Sequence, residues 1–536
     1  MDIVDINIHI NKYALAFKQR HISYVNNISH WLCIDINIIN NENKSIINNY
    51  KKFLNQRNIV TLIKCVKCKI HIIPILYCDN NQRLLSEQQS CYNINILIKE
   101  AFECQNIKML KLIDNHINNE TLIKYMKQKF QSYNNQAWRW ACKNNHIKII
   151  KYLHEKIGLV KENFQLNDNK VCRWACKNGH VTIIKYLHEK IGLIKEDFQS
   201  HDNKICQLTC NYGHVGVVKY LHKKFGLTKT NFQSRNNYAC RLACISGHDN
   251  IIKYLHKEIK LTKQDFQSSN NLACQLACEH GHINVVKYLH QKIKLTKQDF
   301  QSNNNCACRE ACENGYIDIV KYLHQEIGFK KSNFQSNNNS ACRVACLNGR
   351  IDIIKYLHQE IGFKKQDFQL DDNSACRVVC RDGHIDIVKY FYQEIGLTKQ
   401  DFQSDDNYAC KRACENGHLD IVKYLHKEIR LTKEDFQSNN NEACIWTCSN
   451  GHINVVKYLH QEIKLKKQNF QSNNNEACIW ACENGHLDIV KYLHKEIKLT
   501  KEDFQSNNNK AYRCARENGH NDVVKYLKKE IMHAVL

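Results

Sequence analysis

One phrase returns through this chain at a fixed step of 34 residues. Its copy at residues 485–504 reads GHLDIVKYLHKEIKLTKEDF, and its tyrosine stands at Tyr152, Tyr186, Tyr220 and each further step of 34 to Tyr526. A second marker, Phe130, Phe164, Phe198 and onward to Phe504, keeps the same step. Self-similarity at a period of this size signals a stacked array in which no single repeat buries its own apolar face. Stability is then nearly a sum of repeat terms and joint terms. The expectation is an all-α helix-turn-helix solenoid of about 12–13 repeats, preceded by an irregular helical region. A regular array offers no obvious cleft, so binding is expected and catalysis is not.

The period sets the domains. Residues 1–100 do not keep it; short helices are expected over 12–33 and 47–66. Residues 101–113, AFECQNIKMLKLI, align without a gap with 141–153, at an offset of 40, so a degenerate first repeat occupies 101–135. Regular repeats fill 136–536. The last departs as an end cap should: Tyr512 and Arg516 stand where earlier repeats have cysteine, and Lys528 and Lys529 make the end polar.

Each repeat divides into two helices and a loop. In residues 473–506, Asn475 is placed to accept from the free amides at the start of helix A. Ala477, Cys478, Ala481 and Cys482 follow at i, i+1, i+4 and i+5, a narrow stripe of small residues. Asn484-Gly485 ends the helix, glycine tolerating the left-handed conformation. Helix B, HLDIVKYLHKEI, carries Leu487, Val490, Leu493 and Ile497 on one face, with Ile489 widening it, while Lys491, Lys495 and Glu496 face away. In the loop, Thr500-x-x-Asp503 resembles a capping box. A short helical turn is expected there, with Phe504 plugged between repeats.

Formal charge is +24. Residues 1–100 carry a net +5 and the remaining residues +19, nearly the same density, so no basic tail or separate nucleic-acid module stands out. The single proline and the abundance of Asn, Ile and Lys read as base-composition bias. The start, MDIVDINIHI, is no secretory signal. The run near Ile70–Cys78 is far short of the ~20 apolar residues of a membrane span. A cytoplasmic protein with no membrane partner is expected, so the 29 cysteines are read as thiols.

Pairs such as Cys410/Cys414 and Cys478/Cys482 put two thiols on one helical face. A structural zinc needs four ligands in a tetrahedron, and the other two would have to come from a helix about 10 Å away. Packing of a small, buried residue type is the expectation, with no metal and no cofactor. Cys65-x-x-Cys68, with His71 and Cys78, lacks the second paired motif of a zinc site. Histidines follow the repeating glycine (His180 to His520) and end the KYLH phrase (His188, His222, His494), the latter expected half-exposed at the surface. Two lysine columns, Lys151 to Lys525 and Lys161 to Lys501, could track phosphates. The loop lysines are followed by Asp or Glu in most repeats, which reads as a solvated face. No phosphate loop or nucleophile elbow is present.

The stretch ACENGHLDIVKYL (481–493) resembles the helix-turn-helix signature of the ankyrin repeat, and the match returns across 101–536. The low-proline, Asn/Ile/Lys-rich idiom resembles the large ankyrin-repeat sets of amoebae and of giant viruses that infect them. The TPLH tetrapeptide is absent at Glu476-Ala477-Cys478-Ile479, and SNNN replaces the tip of the β-hairpin finger. The resemblance implies a non-enzymatic, monomeric protein–protein interaction scaffold, in a host cytoplasm if viral. It would bind a protein partner through the loop tips and the concave face lined by helix A.

Comparison of repeats within the chain points to the same face. The Ala/Cys stripe is nearly fixed, whereas the positions of Glu476, Ile479 and Trp480 vary. The candidate partner-binding residues are Trp138, Trp140, Trp174, Leu208, Leu242, Leu276, Arg412, Trp446, Ile479 and Trp480; hot spots are enriched in Trp and Arg. Two alternatives stand beside this reading. One is a substrate adaptor for a ubiquitin-ligase-type machine, docking through residues 1–100. The other is unselective nucleic-acid binding by the lysine columns.

Overall fold

The computed structural model describes residues 141–532 apart from Lys156, Ile157 and Leu159. The expectations for 1–100, for the repeat at 101–135, for the Cys65/Cys68 pair and for Trp138 and Trp140 lie outside these residues. Among the described residues every regular element is helical and there is no strand. They form two compact units. One holds the residues up to Ala243 with Asn250–Leu261, the other Cys244–Asp249 and Thr262 onward.

The repeat is a three-piece module: a loop helix such as Lys467–Phe470, helix A such as Ser472–Glu483, and helix B such as Leu487–Lys495. In several repeats the first two run on, as in Lys161–Lys177 and Lys501–Glu517. The loop is therefore a helical turn rather than a β finger. Its phenylalanine is fully buried in repeat after repeat, from Phe164 and Phe198 to Phe504. Each such burial stabilises by about 1.5–3 kcal/mol.

Helix A lays Ala477, Cys478, Ala481 and Cys482 into the stack with no exposed surface. The helix-A-to-B turn is a Schellman motif: the His486 amide donates to Ala481 O at 2.9 Å and the Gly485 amide to Cys482 O at 3.3 Å. Gly485 sits at φ +78°, where a side chain is strained. On helix B the buried set is Ile489, Val490, Tyr492 and Leu493, joined by Ile497 beyond the helix end. Leu487, expected in the stripe, is only half-buried, and the tyrosine takes its share of the core.

The start of helix A departs from expectation. Asn475 is no extended N-cap: Asn473, Asn474 and Asn475 all lie in the left-handed region, at φ 51°, 56° and 68°. The same three-residue left-handed turn stands at Asn439–Asn441, Asn303–Asn305 and Asp371–Asn373. Its third amide closes back on the loop glutamine, Asn475 N to Gln471 O at 3.0 Å. This conformation costs most L-residues roughly 1–2 kcal/mol each, and Asn and Asp least after glycine. The third position is asparagine in every repeat from Asn169 to Asn509. At these sites the Asn abundance thus has a structural cause beyond base composition.

Candidate functional site

Within each compact unit, most recurring polar side chains are committed to the joint between one repeat and the next. The loop aspartate is the clearest case. Asp503 accepts the Thr500 amide at 2.7 Å and the Thr500 hydroxyl at 3.1 Å, so it holds the start of its own loop helix. It also accepts Gln471 Nε2 of the preceding repeat at 2.6 Å and pairs with Lys467 at 3.1 Å. The amide, glutamine and lysine partners recur at Asp367 and Asp401, the threonine hydroxyl only at Asp401. Burial alone would raise these carboxyls, but the amide, glutamine and lysine donors together hold Asp367, Asp401 and Asp503 below the ordinary value. The loop charges are therefore a part-buried inter-repeat ladder rather than the solvated face that the sequence suggests.

Where the loop residue is asparagine, the partner changes. Asn231, Asn333 and Asn469 donate through Nδ2 to the last left-handed asparagine of the preceding repeat, Asn203, Asn305 and Asn441, at 2.8, 3.2 and 2.8 Å.

The histidines are joint residues too. His486 Nε2 lies 2.9 Å from the Ser449 carbonyl at the end of the preceding helix A, and Asn484 Nδ2 donates to the same oxygen at 2.8 Å. That ring packs on the preceding glycine: a Cβ at Gly451 would come within 2.7 Å of it. So the glycine serves both a positive φ and a close approach. Arg350 takes the histidine's place in one repeat and still donates to Glu313 O at 3.1 Å.

The KYLH histidines are half-exposed, as expected, and they also bond the next repeat's tyrosine. His460 Nδ1 lies 3.0 Å from Tyr492 Oη and His494 Nδ1 2.9 Å from Tyr526 Oη. The helix-B lysine column covers the same rings, with Lys457 Nζ 6.0 Å from the Tyr492 centroid and Lys491 Nζ 5.7 Å from that of Tyr526. Both lysine columns are thus engaged within the stack.

The paired cysteines are buried as free thiols; burial pushes Cys206 up to about 12 and also raises Cys176, Cys410 and Cys478. Among the described residues no cluster of His, Cys, Asp or Glu could hold a metal ion. A protonated, buried thiol is neither nucleophile nor ligand.

What the joints leave over is the outer face of helix A. Trp174, Leu208, Leu242, Leu276, Arg412, Trp446 and Trp480 all stand there, half-buried. Ile479 does not: at 1% exposure it belongs to the packing. Trp446 and Trp480 meet across a joint at 6.0 Å between ring centroids. In the first compact unit a groove of about 740 Å³ opens beside Trp174 and Leu208, lined also by Lys170, Arg173, Lys177 and Lys204. Sequence reasoning had named Trp174 and Leu208 but none of these cations. The cations lie at 34-residue steps and at i, i+3 and i+7 on helix A, a signal visible once the face is known.

A stacked helix-A/helix-B array with its joints closed by Gly-His, Tyr and Asp ladders defines a repeat scaffold. A family model of ankyrin repeats (three copies) matches in overlapping windows that together span residues 139–534, so the chain belongs to the ankyrin-repeat family. Members of this family are general protein–protein interaction modules. A search of curated proteins found no match. Among the described residues, no helix is long and apolar enough to cross a membrane.

Proposed function

We propose that the chain is a non-enzymatic scaffold that holds a protein partner across the outer face of helix A, with Trp174, Leu208, Leu242, Leu276, Arg412, Trp446 and Trp480 as contact residues. One observation carries this reading. The recurring Asp, His, Tyr, Lys and Cys side chains serve the joints, whereas these helix-A positions change from repeat to repeat and remain part-exposed. A fixed joint with a variable face is what a repeat scaffold needs in order to be specific. The low-proline, Asn/Ile/Lys-rich wording supports a source among amoebae or their giant viruses, and so an amoebal lysate as the bait's medium.

The test is affinity capture by the full chain, compared with Trp446→Ala and Trp480→Ala. Loss of a specific protein by about tenfold or more in affinity, with the melting temperature held, is expected of hot-spot residues. Variants that melt markedly lower and still capture the same protein would assign the tryptophans to the stack instead.

A further inference from the structure

We propose that the groove of the first compact unit takes an acidic, extended peptide segment of a partner protein, with an apolar side chain seated between Trp174 and Leu208. This rests on the scaffold reading above and adds the chemistry of the occupant. Lys170, Arg173 and Lys177 stand at i, i+3 and i+7 on one helix A, and Lys204 stands at the place of Lys170 one repeat on. Among the described residues, Lys170, Lys177 and Lys204 have no carboxylate partner; Lys177 instead lies 4.9 Å from the centroid of the exposed Tyr212 ring. Among the described residues the groove's one acid, Asp202, pairs with Arg235 at 3.1 and 2.9 Å.

Through most of the second compact unit this excess of positive charge is offset. At the positions of Lys143 and Lys177 that unit carries Glu279, Glu313, Glu415 and Glu483. Many of its helix-A cations pair with a carboxylate, Arg309 with Glu310, Arg343 with Asp371, Arg381 with Asp382, Arg412 with Glu415 and Lys411 with Glu442, whereas, among the described residues, Lys510 and Arg513 of the last repeat, at the places of Lys170 and Arg173, do not. Three lysines without a carboxylate partner, set beside an apolar floor, are complementary to carboxylates carried on a chain with a hydrophobic anchor.

A single nucleic-acid strand is the less suitable occupant. It would stack bases on aromatic faces. Here Lys143 Nζ already stands 5.0 Å over the Trp174 ring, as Lys177 does over Tyr212.

The experiment uses the full chain and three labelled probes: a Glu/Asp-rich peptide of about twelve residues with one central Leu, its Gln/Asn counterpart, and an oligothymidylate of equal charge. Fluorescence anisotropy at low salt and at 0.15 M should show the acidic peptide bound and the neutral one not, with affinity falling as salt screens the contact. The combined variant Lys170→Glu, Lys177→Glu and Lys204→Glu should weaken it by about tenfold or more, as expected when like charges face each other. The charge reversal Lys495→Glu, on the outward side of a helix B in the second compact unit, should leave it unchanged. The proposal fails if the acidic peptide does not bind, or if the oligonucleotide binds as tightly and displaces it. It also fails if the triple reversal abolishes a concentration-dependent self-association seen by ultracentrifugation, for then the groove serves a second copy. A partner captured through Trp446 and Trp480 but insensitive to the triple reversal would sink this proposal while leaving the scaffold reading standing. Capture insensitive to every helix-A variant would sink the scaffold reading alone if the peptide still binds.

Discussion

Tyr392 marks a gap in an otherwise repeated bond. It stands where the KYLH phrase has histidine, and its ring meets Tyr424 edge-on at 6.3 Å. The Tyr424 hydroxyl is left buried without a hydrogen-bond partner. Where histidine is present, as at His426 and Tyr458, the hydroxyl is met at 3.0 Å. Tyr392→His should therefore restore the bond and raise stability by about 0.5–1.5 kcal/mol, the usual net worth of one such interaction. The midpoint of urea unfolding reads this directly; an unchanged or lower midpoint would show that the ring contact matters more. The sequence displayed both the histidine and the tyrosine columns but not their meeting. Their partners stand 32 residues apart in neighbouring repeats, and only the stacking direction brings them together. The cysteines were easier to read, because a small residue at i and i+4 on an apolar stripe points to packing without any knowledge of the neighbour.

At the scale of the element, the legible parts were those with local rules. The Asn-Gly stop and the outward Lys491, Lys495 and Glu496 follow from chain-local preferences. The entry to helix A did not, because an asparagine before a helix usually means an extended cap. Three left-handed residues in a row are rare enough that no local rule proposes them. The exposed middle residue isolates the effect, since Asn440 packs against little. Asn440→Ala should cost about 1 kcal/mol, and Asn440→Gly should be neutral or slightly stabilising, because glycine pays no Cβ penalty there. Denaturant titration of the two variants side by side tests it. Equal midpoints for Ala and Gly would mean that the turn makes no demand on its residues.

For the molecule as a whole, the charge average concealed a separation of sign. Density per residue is even along the chain, yet the helix-A face is basic in the first compact unit and matched by acids over much of the second, and an average over all faces cannot show that. The same ladders set the response to acid. Burial holds the imidazoles of His282, His290, His358, His426, His452, His460 and His494 below their ordinary value near 6.5. Unfolded histidines therefore take up protons first, and stability present above about pH 6.5 is lost as pH falls through the folded values. Asp299, Asp367, Asp401, Asp435 and Asp503 are held below the ordinary 3.8, so a second loss begins under about pH 4. Melting temperature followed by circular dichroism should be level from pH 8 to about 6.5 and then fall in two stages. A midpoint that holds or rises between pH 7 and 5 would contradict the histidine stage.

The joint chemistry also bears on how such an array changes over generations. Each repeat presents at its trailing edge both a loop glutamine, such as Gln471, and a closing asparagine, such as Asn475. One is the partner that a following aspartate takes, the other the partner that a following asparagine takes. Any repeat can thus succeed any other without a matching substitution upstream. Unequal recombination between the near-identical coding stretches could then add or drop whole repeats and still yield closed joints. Copy number would be free to drift while the helix-A faces diverge one by one.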